Sequence, residues 1–414
     1  MTVTAFSLKL VIMPHFRRRH ALSIFENHLK YSPLVGVFGH RQVGKTSFVS
    51  HEIKNYITFD DEDQVLLANQ SAKQFVARHG NQKFVFDECQ MCPGLFPALK
   101  EWVRNNPKPG QFVLTGSVRF SSRKAIRESL TGRIVSLELY PLTLTELLER
   151  PLPETFLRLI KLDSFDHSVY ETVHKPTVLE QNNWLKYLEL GGLPRLAFTR
   201  DPKHRIDLLD SILKLILDRD LRMVTDTNLS LDTLLRFLKH IATQAWEPLN
   251  FAETKRLLGL NEATQKKLIS GLESIFLIRR LSIHSRKTAT FLLEDQLEEV
   301  LLGGGGLSLS RQIYGALYRN LRAQFGYRSG ILFDSFSYRL RSGAWVPLAF
   351  RSGQNEIGII AIEDDEPTVG QRRSADRFLR NFPRGKIVFV KPEITAPLVI
   401  EPRIMICAAA SLVI

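Results

Sequence analysis

The sequence predicts an α/β protein whose first 150 residues form a parallel sheet with helices on both faces. Three observations carry this expectation. G-x-x-x-x-G-K-T runs from Gly39 to Thr46, directly after the short apolar pattern "PLVGVFG" and before the helical "KTSFVSHEIKN". A second apolar run, "KFVFDEC", ends in the acids Asp87 and Glu88. Five strand-like segments, at 34–38, 56–60, 84–87, 112–116 and 134–139, alternate with helical stretches.

The glycine spacing is what a phosphate cradle needs. Gly39 and Gly44 allow a tight turn, so the amides of Arg41, Gln42, Val43, Gly44, Lys45 and Thr46 can face a β-phosphate. Lys45 is expected to bridge the β- and γ-phosphates, and the Thr46 hydroxyl to ligate Mg²⁺.

Asp87 and Glu88 leave a buried strand at its C-terminal edge, where parallel sheets bind ligands. Asp87 is expected to hold Mg²⁺ through water, and Glu88 to take a proton from the attacking water. The competing reading is a helix start capped by acids.

"QFVLTGS" would aim Thr115 or Ser117 at the γ-phosphate if its strand lies between the first two. "ESLTGRIVSLEL" carries Arg133, either a group neutralising γ-phosphate charge, in cis or from a neighbouring subunit, or a surface arginine at a helix end. A strand separating the acids from the cradle points to a protein that activates water rather than a simple kinase.

"GHRQVGKTSF", "FVFDECQMCPGLFPALKEWV", "FVLTGS", "SLTGRI", "LYPLTLTELL", "LELGGLP" and "LDRDL" follow one another in this order. The ordered set resembles a family of bacterial and archaeal AAA-type P-loop ATPases, densely over residues 17–225. Such proteins join a P-loop NTPase parallel sheet and helical lid to a winged helix-turn-helix and a C-terminal α/β nuclease-like domain. The resemblance implies ATP and Mg²⁺ bound by Gly39, His40 and the residues through Ser47 together with Asp87. It implies Glu88 as base, Ser117 as a sensor and Arg133 as a finger candidate. Gly192-Leu193-Pro194 looks like the Gly-x-Pro of nucleotide-switch ATPases, in which Pro194 offers a rigid apolar face to adenine.

The expected divisions are a P-loop core at 1–150, a helical lid at 151–228, a winged helix-turn-helix at 229–302 and a nuclease-like domain at 303–414. In the third, a helix to Leu258, a Gly turn and an Asn261 cap lead to a second helix. Thr264, Gln265, Lys266 and Lys267 would be its DNA-reading face, unless the module packs on the ATPase or a partner instead. "GGGG" at 303–306 reads as a flexible joint and the tail beyond as a small sheet. In the resembled family the tail holds catalytic acids and a Glu-x-Lys. Here Pro347 stands where one acid belongs, Asp365 follows Glu363 where the lysine belongs, and Arg311-Gln312 replaces another acid. These departures argue against DNA cleavage.

With 414 residues, 44 % hydrophobic and 24 % charged, two or three domains with their own cores are expected. No apolar run approaches the ~20 residues that cross a bilayer. "MTVTAFSLKLVIM" is interrupted by Lys9 and lacks a cleavage site, so no signal peptide is expected, and Met13 is an alternative start. Cys89, Cys92 and Cys407 are too few for a zinc site, which fits a reduced, cytoplasmic protein. The net charge of +13 divides into +7 over 1–150, zero over 151–302 and +6 over 303–414. Such a balance permits nucleic-acid contact. "FRRRH" at 16–20, the one dense basic run, reads as a solvated helix start.

The expectation is therefore an ATPase that couples nucleotide state to a DNA or protein partner, with oligomers possible and no membrane. Its alternatives are a slow nucleotide switch and an ATP-controlled DNA-binding regulator.

Overall fold

The computed structural model describes residues 16–119, 130, 132–284 and 286–414. The expectations for Lys9 and Met13, and most of the helix end before Gly132, lie outside the described residues.

Strands β1 (Leu34–Phe38), β2 (Tyr56–Thr58), β3 (Phe84–Asp87), β4 (Phe112–Gly116) and β5 (Ile134–Glu138) form one sheet. All are parallel, in the order β2-β3-β4-β1-β5. β1, β3 and β4 are wholly buried, as continuous apolar runs must be when helices cover both faces. β2 stops two residues short of the expected end, because Asp61 accepts from the Asp63 amide and opens the helix Glu62–Gln70.

With β4 between β1 and β3, Phe38 pairs with Gly116 and Phe86 with Leu114. The ends of three strands therefore meet at one edge. A Cβ on Gly39 would strike the Leu139 carbonyl at 2.3 Å, and Gly44 has φ +95°, so both glycines are required there.

The stretch expected as the lid, 151–228, holds the helices Thr155–Lys161, Ser168–Thr172 and Val178–Leu190, the last capped reciprocally by Thr177 and Glu180, and Pro194 opens the short turn after it. The helix Pro202–Leu215 runs into a π-helical turn, Ile216–Leu221. After the short turn Arg222–Val224 come three longer helices, Leu231–Thr243, Phe251–Leu258 and Glu262–Ser274, the last capped by Asn261 as expected. One apolar core joins Val35 and Leu137 of the sheet to Leu193 and Leu221 of the helical stretch and to Leu268.

β6 (Ile278–Ile283) and β7 (Ala289–Leu293) form a hairpin, but it does not stand apart. β6 runs parallel to β8 (Asp334–Arg339). β9 (Trp345–Ser352), β10 (Asn355–Ala361), β11 (Lys386–Lys391), β12 (Leu398–Glu401) and β13 (Ile404–Ala408) complete the sheet. Its eight strands run β12-β13-β11-β10-β9-β8-β6-β7, so the sheet crosses the expected division at 302/303 and is larger than the small sheet foreseen for the tail. The helix Leu309–Gly326 covers one face through Leu317, Leu321 and Phe325. The helix Val369–Asn381 covers the other through Ala375 and Phe378.

Candidate nucleotide-binding site

The loop after β1 delivers Lys45 at the start of the helix Lys45–Glu52. Its ammonium is buried and donates to the carbonyls of Gly39 and His40 at 3.2 and 3.0 Å. Burial lowers the Lys45 pKa, while Glu88 and Asp87 favour its charge. Thr46 Oγ1 donates to Asp87 Oδ2 at 2.8 Å. The hydroxyls of Tyr56 and Thr115 also donate to Asp87, so three neighbours fix its orientation. Two hard oxygen ligands side by side, Thr46 and Asp87, suit a small divalent cation. They would hold Mg²⁺, whose chemistry is to neutralise charge on phosphate oxygens.

Glu88 has φ +51°, a left-handed conformation uncommon outside glycine. Its amide donates to Thr115 Oγ1 at 3.2 Å and its carboxylate accepts from Gln90 Nε2. Burial raises the Glu88 pKa, and the Lys45 charge opposes the rise. A carboxylate held this way is a stronger base than a solvated one, yet keeps a cation beside it. The 3₁₀ turn Cys89–Met91 that follows receives no side-chain cap from Glu88, so capping is not what places this acid. Thr115, not Ser117, is the hydroxyl at Asp87. Ser117 meets the site only through Gln90 Nε2, at 3.4 Å. Cys89 and Cys92 are buried free thiols, and among the described residues no cluster of three metal-binding side chains exists.

Arg133 lies elsewhere. It precedes Ile134, which pairs with Leu34, the first residue of β1. The phosphate loop follows Phe38, the last, so about 13 Å of strand at ~3.3 Å per residue separates them. Arg133 lines a surface cleft with Tyr31, Ser32 and Val103 at the opposite edge of the sheet. It is out of reach of a nucleotide in its own loop, which removes the cis role and leaves the surface arginine or a role toward a neighbouring subunit.

Further side chains converge here, and one of them, Arg19, carried no signal in the sequence. Arg19, inside the basic run expected to be solvated, is buried. It donates to the Val43 carbonyl at 2.9 Å, to Glu146 at 3.1 Å and to the Tyr140 carbonyl. A Cβ on Gly44 would lie 3.6 Å from Arg19 Nη1 and 3.7 Å from Pro194 Cγ, so the lid proline does sit against the loop. Arg41 Nη1 donates to both carboxylate oxygens of Asp220 at 3.1 Å.

Behind the loop, His40 Nε2 lies 3.2 Å from Glu298 Oε1, with both side chains wholly buried. Burial disfavours the charged imidazole, but Glu298 outweighs it and raises the His40 pKa. Asp295, which caps the helix Gln296–Leu302 that carries Glu298, accepts the amides of Gly192 and Leu193 at 2.7 and 3.1 Å. The "EDQLEE" run at 294–299 is buried throughout, which only the fold shows.

The expected DNA-reading face is also altered by the packing. Gln265 is fully buried and donates to the carbonyls of Phe251 and Leu260, which pins the turn between two helices. Lys266 pairs with Glu262 at 2.6 Å, and Lys267 donates to the Asp226 carbonyl.

Residues 31–148 match the family model described as an AAA domain, and residues 181–295 match a domain of unknown function. The first match covers the loop and the acid pair and supports an AAA-type P-loop ATPase. An uncharacterized protein of Mycobacterium tuberculosis is 25 % identical over 268 residues, 64 % of this chain and 53 % of its own length. One of Methanocaldococcus jannaschii is 26 % identical over 196 residues, 44 % of this chain and 41 % of its own. The chain thus spans about half the length of the curated relatives it matches. Among solved structures, a Walker-type ATPase of Pyrococcus abyssi aligns with TM-score 0.42 and 14 % identity over 70 % of this chain and 95 % of that one. A signal-transduction ATPase of Pyrococcus horikoshii with a tetratricopeptide sensor aligns with TM-score 0.22 and 13 % identity over 76 % and 48 %. Among the described residues, no helix is long and apolar enough to cross a membrane.

Proposed function

We propose that this protein is a Mg²⁺-dependent ATPase that transmits nucleotide state to a partner through a winged-helix segment and a nuclease-like C-terminal domain. One observation carries the ATPase reading: Lys45, Thr46, Asp87 and buried Glu88 converge at the edge where β1, β3 and β4 end. Glu88 would take the proton of the attacking water, and Lys45 would meet the β/γ charge. The transmission reading is supported by the helix Gln296–Leu302. Its N-terminal acids hold both the phosphate loop, through His40, and the lid, through Gly192 and Leu193. Arg319 of the helix Leu309–Gly326 grips the same segment through Glu299 at 2.8 Å.

The test is phosphate release by the purified protein. Mg²⁺-dependent turnover is expected, whereas stoichiometric trapping of ATP without turnover would replace this reading with a slow switch.

Asp295→Ala checks the link. It leaves the buried amides of Gly192, Leu193 and Leu297 without their acceptor. A loss of about 1–3 kcal/mol in unfolding free energy is expected, with weaker nucleotide binding. Unchanged urea unfolding and unchanged affinity would show that the contact does neither job.

For the tail, binding without cleavage is the reading. Pro347 is buried in β9, and Asp365 is engaged by Lys391 at 2.5 Å. Glu363 accepts only a surface bond from Ser310 at 3.3 Å, and Arg311 pairs with Glu247 at 3.1 Å. Protein with Mg²⁺ or Mn²⁺ is expected to leave linear, nicked and single-stranded DNA intact on a gel. Metal-dependent cutting that vanishes in Glu363→Ala would overturn this.

A further inference from the structure

We propose that Arg219 is the arginine that completes this site in cis: when ATP binds, its guanidinium leaves Asp60 and engages the γ-phosphate. The proposal rests on the ATPase reading above.

Arg219 belongs to "LDRDL", in the π-helical turn Ile216–Leu221. Such turns are rare and concentrate at functional sites. In a regular α-helix adjacent side chains diverge by about 100°. Here two neighbours both serve the nucleotide edge. Asp220 holds Arg41 of the phosphate loop, and Arg219 Nη2 donates to Asp60 Oδ1 at 2.8 Å, with Met91 Sδ at 3.6 Å.

Asp60 is at that edge because β2 ends beside β3. Thr58 pairs with Asp87, and the Phe59 amide donates to the Asp87 carbonyl at 3.0 Å. The bond to Asp60 favours the Arg219 charge, as do the nearby carboxylates of Asp220 and Glu88, while partial burial opposes it.

Among the described residues, the other arginines considered for the site are committed or distant. Arg19 is locked to Val43, Glu146 and Tyr140, Arg41 to Asp220, and Arg133 lies at the far edge. The Arg219–Asp60 pair is a third to a half exposed, so it is worth little and exchanges readily for a triphosphate.

In hydrolysis the water oxygen bonds to Pγ as the bond from Pγ to the bridging oxygen breaks. That electron pair leaves on ADP, and the water proton goes to the Glu88 carboxylate. Arg219 moves no proton and stabilises charge on the γ-phosphoryl oxygens, a contribution of ~10³-fold or more elsewhere.

Calorimetry with ADP and with a slowly hydrolysed ATP analogue, beside phosphate release, tests the idea. Arg219→Ala is expected to keep ADP affinity within ~3-fold of the parent, lose ~10-fold in analogue affinity and ~10³-fold in turnover. Asp60→Ala separates this from a structural tether, because freeing the arginine should leave the analogue bound at least as tightly as by the parent. If Asp60→Ala reproduced the losses of Arg219→Ala, the pair would be structural and the proposal wrong. Equal analogue affinity and turnover in Arg219→Ala and the parent would also overturn it. A mixture of Arg219→Ala and Lys45→Ala chains should remain inactive, and restored turnover would move the arginine's action to a neighbouring subunit. A parent that binds neither nucleotide would instead defeat the ATPase reading itself.

Discussion

Glu88→Gln is expected to bind ATP as the parent does while turnover falls by ~10²–10⁴-fold, the usual effect of removing a general base. The amide keeps the size of the carboxylate and an acceptor for Gln90, but it cannot take a proton. Asp87→Asn should behave differently despite being adjacent. Asp87 receives hydroxyl donations from Thr46, Tyr56 and Thr115, and its charge supports the metal side of the site. Its loss should weaken the Mg²⁺-dependent part of ATP binding. Phosphate release and calorimetry, with and without Mg²⁺, distinguish the two variants. Hydrolysis by Glu88→Gln at the parent rate would show that another group activates the water.

Lys45→Ala is expected to abolish Mg-ATP binding altogether. Among the described residues no other cation takes its place between the β- and γ-phosphates: Arg19 and Arg41 are held by the loop and its supports, and the role proposed for Arg219 is on the γ-phosphoryl oxygens alone. The ammonium sits inside the loop it closes, bonded to Gly39 and His40, so the group that shapes the cradle is also the one that would meet the phosphates. Calorimetry should show no heat of binding in a protein that still unfolds cooperatively. An unchanged affinity would mean that the glycine-rich turn is not a nucleotide cradle.

The parts legible in the sequence are those written in contiguous residues. Glycines five apart before a lysine and threonine specify a turn, because Gly44 must adopt a left-handed conformation and Gly39 must pass close to a carbonyl. Unbroken apolar runs specify buried parallel strands, and all five strands of the first sheet lie where the pattern puts them, within one or two residues. The acids at the end of "FVFDE" then fall beside the loop by strand order alone.

Burial of charge was not legible. The "FRRRH" run holding Arg19 reads as solvated, and nothing marks the acids of "EDQLEE" as buried, since polar letters read the same in water and in a core. Gln265 looked like a base reader for the same reason, and it pins a turn instead.

By itself, then, the sequence determined the phosphate loop, the acid pair and the five-strand sheet, because each follows from short-range backbone and burial constraints. Only the tertiary structure decided which distant charges meet. It joined His40 to Glu298, Asp295 to the lid amides and Arg219 to Asp60, and it carried Arg133 to the wrong edge for its own nucleotide. Those outcomes depend on how separate elements pack, and a buried charge is stable only where a partner arrives from elsewhere in the chain.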